Sequence, residues 1–541
     1  MEKEIIFRRF GIMLDCSRNA VMTVNSLKKW IDITADLGYN TLLLYTEDTY
    51  EVKDNPYFGY MRGRYTQEEL REVDRYAASR GMELIPCIQT LAHLRAIMRW
   101  PIYESHMDTD DILLAGDEAV YKLIDQMFET ISGCFISRTI NIGMDEAHMI
   151  GRGKYYDLHG DSDRSQILID HLKRVAEIGK KYGFTLTMWS DMFFRLVAGH
   201  NYYDSSAKIN EEIKKQIPNN VQLIYWDYYS MDRNHYDRML TAHEKIKEDI
   251  WFAGGLWTWS GFAPHNEYGM KVTTAALKSC LEHSVQDIFL TMWGDDGGEC
   301  SKFAMLPSLF YASEIAKGNT NKGSIKEKFK RKYGISFDRF MLLDLPGTPN
   351  CATDEICNAE KYLLYNDCFM GLMDSTISGN ENMQYAKCAR RLSLMKKNEE
   401  WGYLFATQQA LCEVLALKAD LGIRTRNVYE SKDKDALKDL ITDYRKLQKK
   451  LEIFYKTYKK QWYIENKPHG FDVQDIRIGG LMTRIESCAD RLENLFEDRI
   501  QVIEELEEKQ LDIGGKGETF AHEHFCFNSW GKTVTTNVIT W

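Results

Sequence analysis

The first 320 residues alternate short β-rich runs with longer amphipathic stretches, and this alternation constrains the fold more than any other feature of the chain. Eight such pairs follow one another, which is the pattern of parallel βα units. No glycine-rich phosphate-binding turn follows any run, so dinucleotide-binding and P-loop folds are not favoured. We therefore predict an α/β fold, a closed (β/α)8 TIM barrel over residues 1–320. The predicted strands are Phe7–Asp15, Thr41–Asp48, Met82–Gln89, Arg138–Glu146, Thr185–Met192, Val221–Tyr228, Ile250–Ser260 and Asp287–Asp295.

The character of the chain changes after Gly318. Long stretches rich in leucine, lysine and glutamate, with almost no proline, predict an α-helical domain over residues 321–518. We expect this domain to be mainly structural, with a homodimer interface as its use. Residues 519–541 alternate in character, as in Thr533–Val538, and predict a β-prone C-terminal tail. The predicted helical stretches are Asp354–Asp374, Glu381–Tyr429, Lys434–Tyr463 and Asp475–Lys509.

The formal net charge of −11 comes from 69 basic and 80 acidic side chains that are interspersed along the chain. No broad basic field attracts phosphate backbones or anionic lipid, so we expect neither a nucleic acid nor a membrane as a partner. The charged N-terminus has no apolar signal region, and no apolar run reaches about 18 residues, so we expect a soluble cytoplasmic protein. The twelve cysteines form no C-x-x-C pair, which predicts buried thiols rather than disulfides.

Each predicted strand delivers polar or aromatic side chains near its C-terminal end, where the active site of a βα barrel forms. Any one of them has an ordinary explanation, because a strand must end in something polar and a single tryptophan usually packs. Eight together predict one pocket with flat apolar faces and bidentate acceptors, which is what a pyranose needs. These residues are Asp15 with Arg18, Glu47–Asp48, Gln89 with His93, Asp145–Glu146, Trp189–Asp191, Tyr225–Asp227, Trp257–Trp259 and Trp293–Asp295.

Metal and Schiff-base chemistry are the rivals for such a pocket. Histidine is scarce at the strand ends, no H-E-x-x-H spacing occurs in the barrel, and His522 and His524 in the tail have no further ligands. No predicted strand ends in a lysine. We therefore expect no metal and no other cofactor.

Two carboxylates in a sugar pocket indicate glycoside hydrolysis, and Asp145 with Glu146 is the strongest pair. Because successive strand residues point to opposite faces, we expect Glu146 to extend over the pocket and Asp145 to sit lower.

Four motifs resemble those of glycoside hydrolase family 20, the β-N-acetylhexosaminidases. Ile140–Glu146 resembles the strand-four signature, and Leu14–Arg18 the first-strand motif. Tyr225–Asp227 matches the Tyr-x-Asp element, and Trp293–Asp295 is similar to the final Trp-x-Glu element. The resemblance covers roughly residues 5–320, and the helical half resembles a cytoplasmic bacterial branch of the family. Departures from the family's pattern are Asn141, Met144, Gln89 and the shorter Asp295.

The resemblance implies an exo-acting β-N-acetylhexosaminidase that releases terminal β-linked GlcNAc or GalNAc from an oligosaccharide or glycoconjugate. Its mechanism is then retaining and substrate-assisted, through an oxazolinium intermediate. Glu146 would be the acid, Asp145 would stay ionised and orient the acetamido group, and Tyr225 would hold its carbonyl oxygen. The substrate-binding residues implied are Arg18, His93, Trp189, Asp227, Trp257, Trp259, Trp293 and Asp295.

Three other interpretations remain open at this point. One is another retaining TIM-barrel β-glycosidase with a carboxylate nucleophile, which needs a second strand-end glutamate. The second is a catalytically inactive carbohydrate-binding barrel, against which the retention of both Asp145 and Glu146 argues. The third is an interaction scaffold whose purpose lies in the helical half.

Overall fold

A computed structural model describes residues 4–199, 201–349, 351, 354–515 and 526–539. These residues form two compact units. The first comprises Met1–Leu256, Gly269–Met292 and Leu309–Asn321, and the second comprises Trp257–Tyr268, Trp293–Ser308 and Lys322–Trp541. Two segments that directly follow barrel strands in sequence, 257–268 and 293–308, therefore belong to the second unit.

The first unit contains a closed barrel of eight parallel strands, which confirms the predicted fold class. Each strand pairs with the next in sequence, and β1 pairs with β8 to close the barrel. Strands β2, β7 and β8 are buried along their whole length, because parallel strands of a barrel are covered on both faces. The strands are β1 Arg9–Asp15, β2 Thr41–Glu47, β3 Glu83–Ile88, β4 Thr139–Asn141, β5 Thr185–Trp189, β6 Val221–Trp226, β7 Ile250–Gly255 and β8 Asp287–Met292.

The helices between the strands begin and end where local side chains satisfy the backbone. Thr66 and Glu69 form a capping box at the start of α2, and Gly38 ends α1 in the left-handed conformation with a φ of 93°. The helices are α1 Val24–Leu37, α2 Gln67–Ser79, α3 Arg95–Met98, α4 Glu118–Ser132, α5 Lys154–His159, α6 Arg164–Lys181, α7 Asp191–Arg195, α8 Glu211–Gln216, α9 Arg233–Glu244, α10 Asn266–Glu282 and α11 Leu306–Ala316.

The second unit is helical, as predicted, but of the four predicted stretches only Lys434–Tyr463 lies within one continuous helix. The stretch Glu381–Tyr429 is broken because Asn398 accepts hydrogen bonds from the backbone N–H groups of Glu400 and Trp401. Asp367 interrupts the stretch Asp354–Asp374 in the same way. The helices are α12 Lys322–Tyr333, α13 Phe337–Phe340, α14 Ala359–Tyr365, α15 Glu381–Ser393, α16 Gly402–Lys418, α17 Leu421–Ser431, α18 Lys434–Glu465, α19 Phe471–Phe496, α20 Glu504–Glu507 and α21 Trp530–Val534.

The tail does not form the predicted strand within residues 526–539. These residues contain the short helix α21, in which the Thr533 hydroxyl donates a hydrogen bond to the Ser529 carbonyl oxygen at 3.0 Å. No strand lies within residues 526–539, so the prediction of a β-prone tail is wrong for this part. The rest of the tail, including His522 and His524, lies outside the described residues.

Two further expectations concern the whole chain. All twelve cysteines lie in the part of the chain that the structure describes, and none of them forms a disulfide. Within the same described ranges, no helix is both long enough and apolar enough to cross a membrane.

The seam between β1 and β8 depends on one buried carboxylate at the amino end of the barrel. Asp287, 1% exposed, accepts hydrogen bonds from Arg8 at 3.0 Å and from Arg9 at 3.4 Å. We predict that Asp287→Asn lowers the free energy of unfolding of the barrel by about 2 kcal/mol, because two arginines lose their buried partner. Urea unfolding followed by tryptophan fluorescence measures the loss. The control Asp249→Asn changes a carboxylate that is 62% exposed and 3.9 Å from Arg8, and should cost less than about 0.5 kcal/mol. Equal effects of the two substitutions would contradict the role of Asp287.

Candidate active site

The chain leaves the barrel early at the end of β4. The strand ends at Asn141, whose side chain accepts a hydrogen bond from the Gly143 N–H at 2.7 Å. Gly143, Met144 and Glu146 then have φ values of 72°, 68° and 50°, in the left-handed region. The predicted strand to Glu146 is therefore wrong, and so is the argument from strand alternation. At Gly143 a side chain is excluded, because a Cβ there would lie 2.0 Å from the Gln89 Oε1 atom.

This turn buries the carboxylate of Asp145, which is 11% exposed. Gln89 Nε2 donates a hydrogen bond to Asp145 Oδ1 at 2.8 Å, and His93 Nε2 lies 3.2 Å from Asp145 Oδ2. Burial acts to raise the pKa of Asp145, but the charge and hydrogen bond of His93 outweigh it and hold the pKa below its ordinary value. Burial acts to lower the pKa of His93, yet Asp145 raises that pKa to about 9. These shifts favour an ionised Asp145 and a protonated His93 at neutral pH.

Glu146 occupies the accessible side of the same turn, with a side chain that is 40% exposed. Its Oε2 atom lies 3.7 Å from His93 Nε2, and its Oε1 atom accepts a hydrogen bond from Arg195 Nη2 at 3.3 Å. The expected asymmetry between a lower Asp145 and an accessible Glu146 is therefore present, although left-handed backbone produces it rather than strand alternation.

Asp191 and Arg195, both on α7 directly after β5, contact Glu146. Asp191 was one of the strand-end residues of the sequence but was given no role in the site, and Arg195 was not among the candidates. Asp191 Oδ2 accepts hydrogen bonds from the Glu146 backbone N–H and from Arg195 Nε, both at 3.0 Å. Burial, followed by the charge of Asp145, raises the pKa of Asp191 to about 7. Asp191 stood at a predicted strand end, which is a usable signal. Arg195 has only its i,i+4 spacing from Asp191 as a signal, and that spacing is common on surface helices.

A chain of contacts connects Arg18 to Asp145. Arg18 forms an ion pair with Glu47, the last residue of β2. The Tyr45 hydroxyl donates a hydrogen bond to Glu47 at 3.0 Å, and Gln89 Nε2 donates one to the Tyr45 oxygen at 2.9 Å. Gln89, a departure from the family's pattern, is therefore the residue that joins the ends of β2, β3 and β4.

Tyr225 and Asp227, at the end of β6, form a second polar group in the first unit. The Tyr225 hydroxyl donates a hydrogen bond to Asp227 Oδ2 at 2.7 Å, and His235 Nε2 lies 2.6 Å from the same oxygen. Burial raises the pKa of Tyr225 well above its usual range, so its phenol keeps its proton. Trp189 is buried at the end of β5, and its backbone N–H donates a hydrogen bond to the Gly143 carbonyl oxygen at 3.2 Å.

The remaining four candidates, Trp257, Trp259, Trp293 and Asp295, lie in the second unit. The Trp257 and Trp259 rings stack with centroids 4.2 Å apart. Between them Thr258 donates a hydrogen bond to the Trp293 carbonyl oxygen at 2.7 Å, so the segments after β7 and β8 are joined. Asp295 has a φ of 30°, another left-handed position at a predicted site residue.

Buried ion pairs within the second unit anchor the segment that carries Trp293 and Asp295. Lys361 of α14 lies 2.7 Å from Glu299 and 3.2 Å from Asp296. Arg477 of α19 lies 3.0 Å from Glu299 and 2.7 Å from Asp296. The helical domain therefore holds this segment in place.

The described residues contain no group of three or more histidine, cysteine, aspartate or glutamate side chains arranged to hold a metal ion. The first unit does combine an ionised, buried carboxylate with an accessible carboxyl group beside it. Such a pair can stabilise positive charge and transfer a proton, which are the two tasks of glycoside hydrolysis.

Comparison with protein families decides the assignment. Residues 7–247 match the model of the glycosyl hydrolase family 20 catalytic domain. Residues 338–524 match the model of the glycoside hydrolase 20C C-terminal domain, so the two models together span most of the chain. The chain belongs to glycoside hydrolase family 20. It is a glycoside hydrolase, and the α-helical half is a domain of that family.

Individual relatives are distant. Hexosaminidase D from Bos taurus is 24% identical over 272 residues, which cover 46% of this chain and 70% of the bovine protein. A beta-hexosaminidase from Vibrio furnissii is 29% identical over 177 residues, which cover 26% of this chain and only 29% of that protein. The structure of Flavobacterium johnsoniae chitobiase is 15% identical, with a TM-score of 0.47 and coverage of 84% of this chain and 78% of that chain.

The Asp145–His93 pair predicts a specific dependence of stability on pH. A protonated His93 stabilises the fold fully below its unfolded pKa of about 6.5, and this contribution is lost as the pH rises through about 9. We predict that His93→Gln costs stability on the order of 3 kcal/mol at pH 6, and much less at pH 10. Urea unfolding of both proteins across this range measures the difference.

The matched control is His159→Gln, which replaces an exposed histidine of α5. Because this is an exposed surface position, the substitution should change the free energy of unfolding by less than about 0.5 kcal/mol at both pH 6 and pH 10. A cost of His93→Gln that is equal at both ends of the range would show that His93 is not the charged partner of Asp145.

Proposed function

We propose that the chain is an exo-β-N-acetylhexosaminidase that releases terminal β-linked N-acetylhexosamine from glycans with retention of configuration. The observation that carries the proposal is the buried Asp145 carboxylate, which contacts Gln89 and His93 directly beside the accessible Glu146. Family membership supports the class of substrate. The substrate is then an oligosaccharide or glycoconjugate whose terminal sugar carries a 2-acetamido group.

In the first step Glu146 protonates the glycosidic oxygen while the acetamido oxygen of the substrate attacks the anomeric carbon. The C–O bond to the leaving group breaks, and the bond to the acetamido oxygen forms an oxazolinium ring. Positive charge develops on the acetamido nitrogen, and a buried, ionised Asp145 stabilises it because few solvent dipoles compete. Protonated His93 keeps Asp145 ionised for this purpose.

Tyr225 is proposed to donate a hydrogen bond to the acetamido oxygen. Because the phenol has a single proton, Tyr225 must give up its hydrogen bond to Asp227 when it binds the substrate. The phenol has one O–H, which in the structure is donated to Asp227. When the substrate takes this hydrogen bond, Asp227 retains His235 as a partner and becomes an acceptor for a sugar hydroxyl. Binding of the acetamido group and binding of the hydroxyl are therefore coupled.

In the second step Glu146, now ionised, takes a proton from a water molecule that attacks the anomeric carbon. The bond to the acetamido oxygen breaks, and the sugar leaves with its original configuration. The proton from this water passes to Glu146, so the site is restored, and the chain, the substrate and one water molecule account for the whole reaction.

The direct test compares turnover of the p-nitrophenyl β-glycosides of GlcNAc, GalNAc and glucose. We predict that kcat/KM for one of the two acetamido sugars exceeds that for the glucoside by at least about 100-fold, because only the former supply the nucleophile.

The control is Glu146→Gln purified in the same way, whose residual turnover of a GlcNAc glycoside with a poor leaving group reports contaminating enzyme. Comparable turnover of the glucoside and the acetamido sugars would contradict the proposal. No turnover of any of the three would support a carbohydrate-binding barrel instead.

A further inference from the structure

The acid Glu146 is held by a pair of opposite charges on α7. Asp191 accepts the backbone N–H of Glu146 and the Nε–H of Arg195 on one oxygen, while the Arg195 Nη2 group reaches the Glu146 carboxylate at 3.3 Å. The Asp191 side chain is 0% exposed and that of Arg195 is 14% exposed. Charges this far from solvent are weakly screened, so each of them acts on Glu146.

Glu146 contacts Asp191 in a strained backbone conformation. Its φ of 50° lies in the left-handed region, which a glutamate adopts only when its surroundings impose it. In this conformation its N–H donates a hydrogen bond to Asp191 at 3.0 Å. The second oxygen of Asp191, Oδ1, is buried and has no hydrogen-bond partner among the described residues. The hydrogen bonds of this carboxylate are therefore those that Oδ2 accepts from Glu146 and Arg195.

We propose that Asp191 and Arg195 are positioning residues that set the charge state of Glu146 during the reaction, a proposal that rests on the function given above. Arg195 stabilises the Glu146 carboxylate that appears when the proton passes to the leaving group. Asp191 orients Arg195 and offsets its charge, so that Glu146 still carries its proton before the reaction begins.

Two other charged groups of the first unit, His93 and Asp145, lie close to Glu146. His93 lies 3.7 Å away on the loop after β3, and Asp145 precedes Glu146 in the chain. These two form their own ion pair, so the α7 pair can be changed while they are retained. Burial and then Asp145 raise the pKa of Asp191 to about 7, while the Glu146 N–H and Arg195 favour its charged form.

The experiment measures kcat/KM against pH for Arg195→Met and Asp191→Asn with the best aryl N-acetylhexosaminide of the wild type. Loss of the positive charge lets Glu146 keep its proton longer, so the alkaline limb moves to higher pH by about 1 unit in Arg195→Met. Loss of the negative charge leaves Arg195 unbalanced, so the limb moves to lower pH by about 1 unit in Asp191→Asn. The double variant returns towards the wild-type profile, because both charges are gone.

A leaving-group series gives a second readout. In Arg195→Met, kcat should fall at least about tenfold more for glycosides with poor leaving groups than for activated aryl glycosides, because only the former need the proton of Glu146 in the transition state. Lys215→Met, which removes a lysine that is 69% exposed on α8, is the charge-removal control and should move neither readout.

Two results would overturn the proposal while leaving the proposed function in place. One is an active wild type whose alkaline limb is unchanged in both variants, and the other is a shift in the same direction in both. If Asp191→Asn does not fold, Arg195→Lys and Arg195→Gln carry the test. The lysine should keep the limb within about 0.3 units and the glutamine should move it as Met does. A wild type that hydrolyses no N-acetylhexosaminide overturns the proposed function and this inference together.

Discussion

The ion pair between Asp145 and His93 is the interaction on which the rest of the site depends. A carboxylate buried this far from water would ordinarily take up a proton, and the protonated imidazole at 3.2 Å prevents this. Gln89 contributes the second hydrogen bond and can approach only because residue 143 is a glycine. The left-handed backbone that follows then brings Glu146 to the accessible side.

The fold was largely predictable from the sequence, because the period of hydrophobic residues reports strands and helices directly. The place of Asp145 and Glu146 directly after β4 was also predictable, because a motif marks this pair. The conformation of Ile142–Glu146 was not, since the left-handed residues Gly143, Met144 and Glu146 leave no sequence pattern that differs from a strand. Arg195 was missed because it contacts Glu146 only when α7 begins at Asp191, and the sequence did not predict that helix. The prediction of a strand in the tail was wrong because an alternating pattern over six residues, without a sheet partner, does not specify a strand.

The helical domain supplies buried cations that pair with the segment after β8, a role that the sequence did not indicate. The buried lysine of α14 and arginine of α19 neutralise Asp296 and Glu299, and their charges hold the pKa of Asp296 below its ordinary value despite burial. Breaking such a network by removing one member leaves an unpaired buried charge, which is costly. The segment bearing Trp293 and Asp295 is therefore maintained by helices that follow the barrel in the chain.

The central claim is that the acetamido group of the substrate is the nucleophile and that ionised Asp145 stabilises the ring it forms. The most direct measurement is calorimetric binding of a stable thiazoline analogue of that ring to the wild type and to Asp145→Asn. The account predicts that the wild type binds the thiazoline at least about 100-fold more tightly than free N-acetylglucosamine, and that Asp145→Asn loses most of this advantage. Equal, weak binding of the thiazoline to both proteins would contradict it.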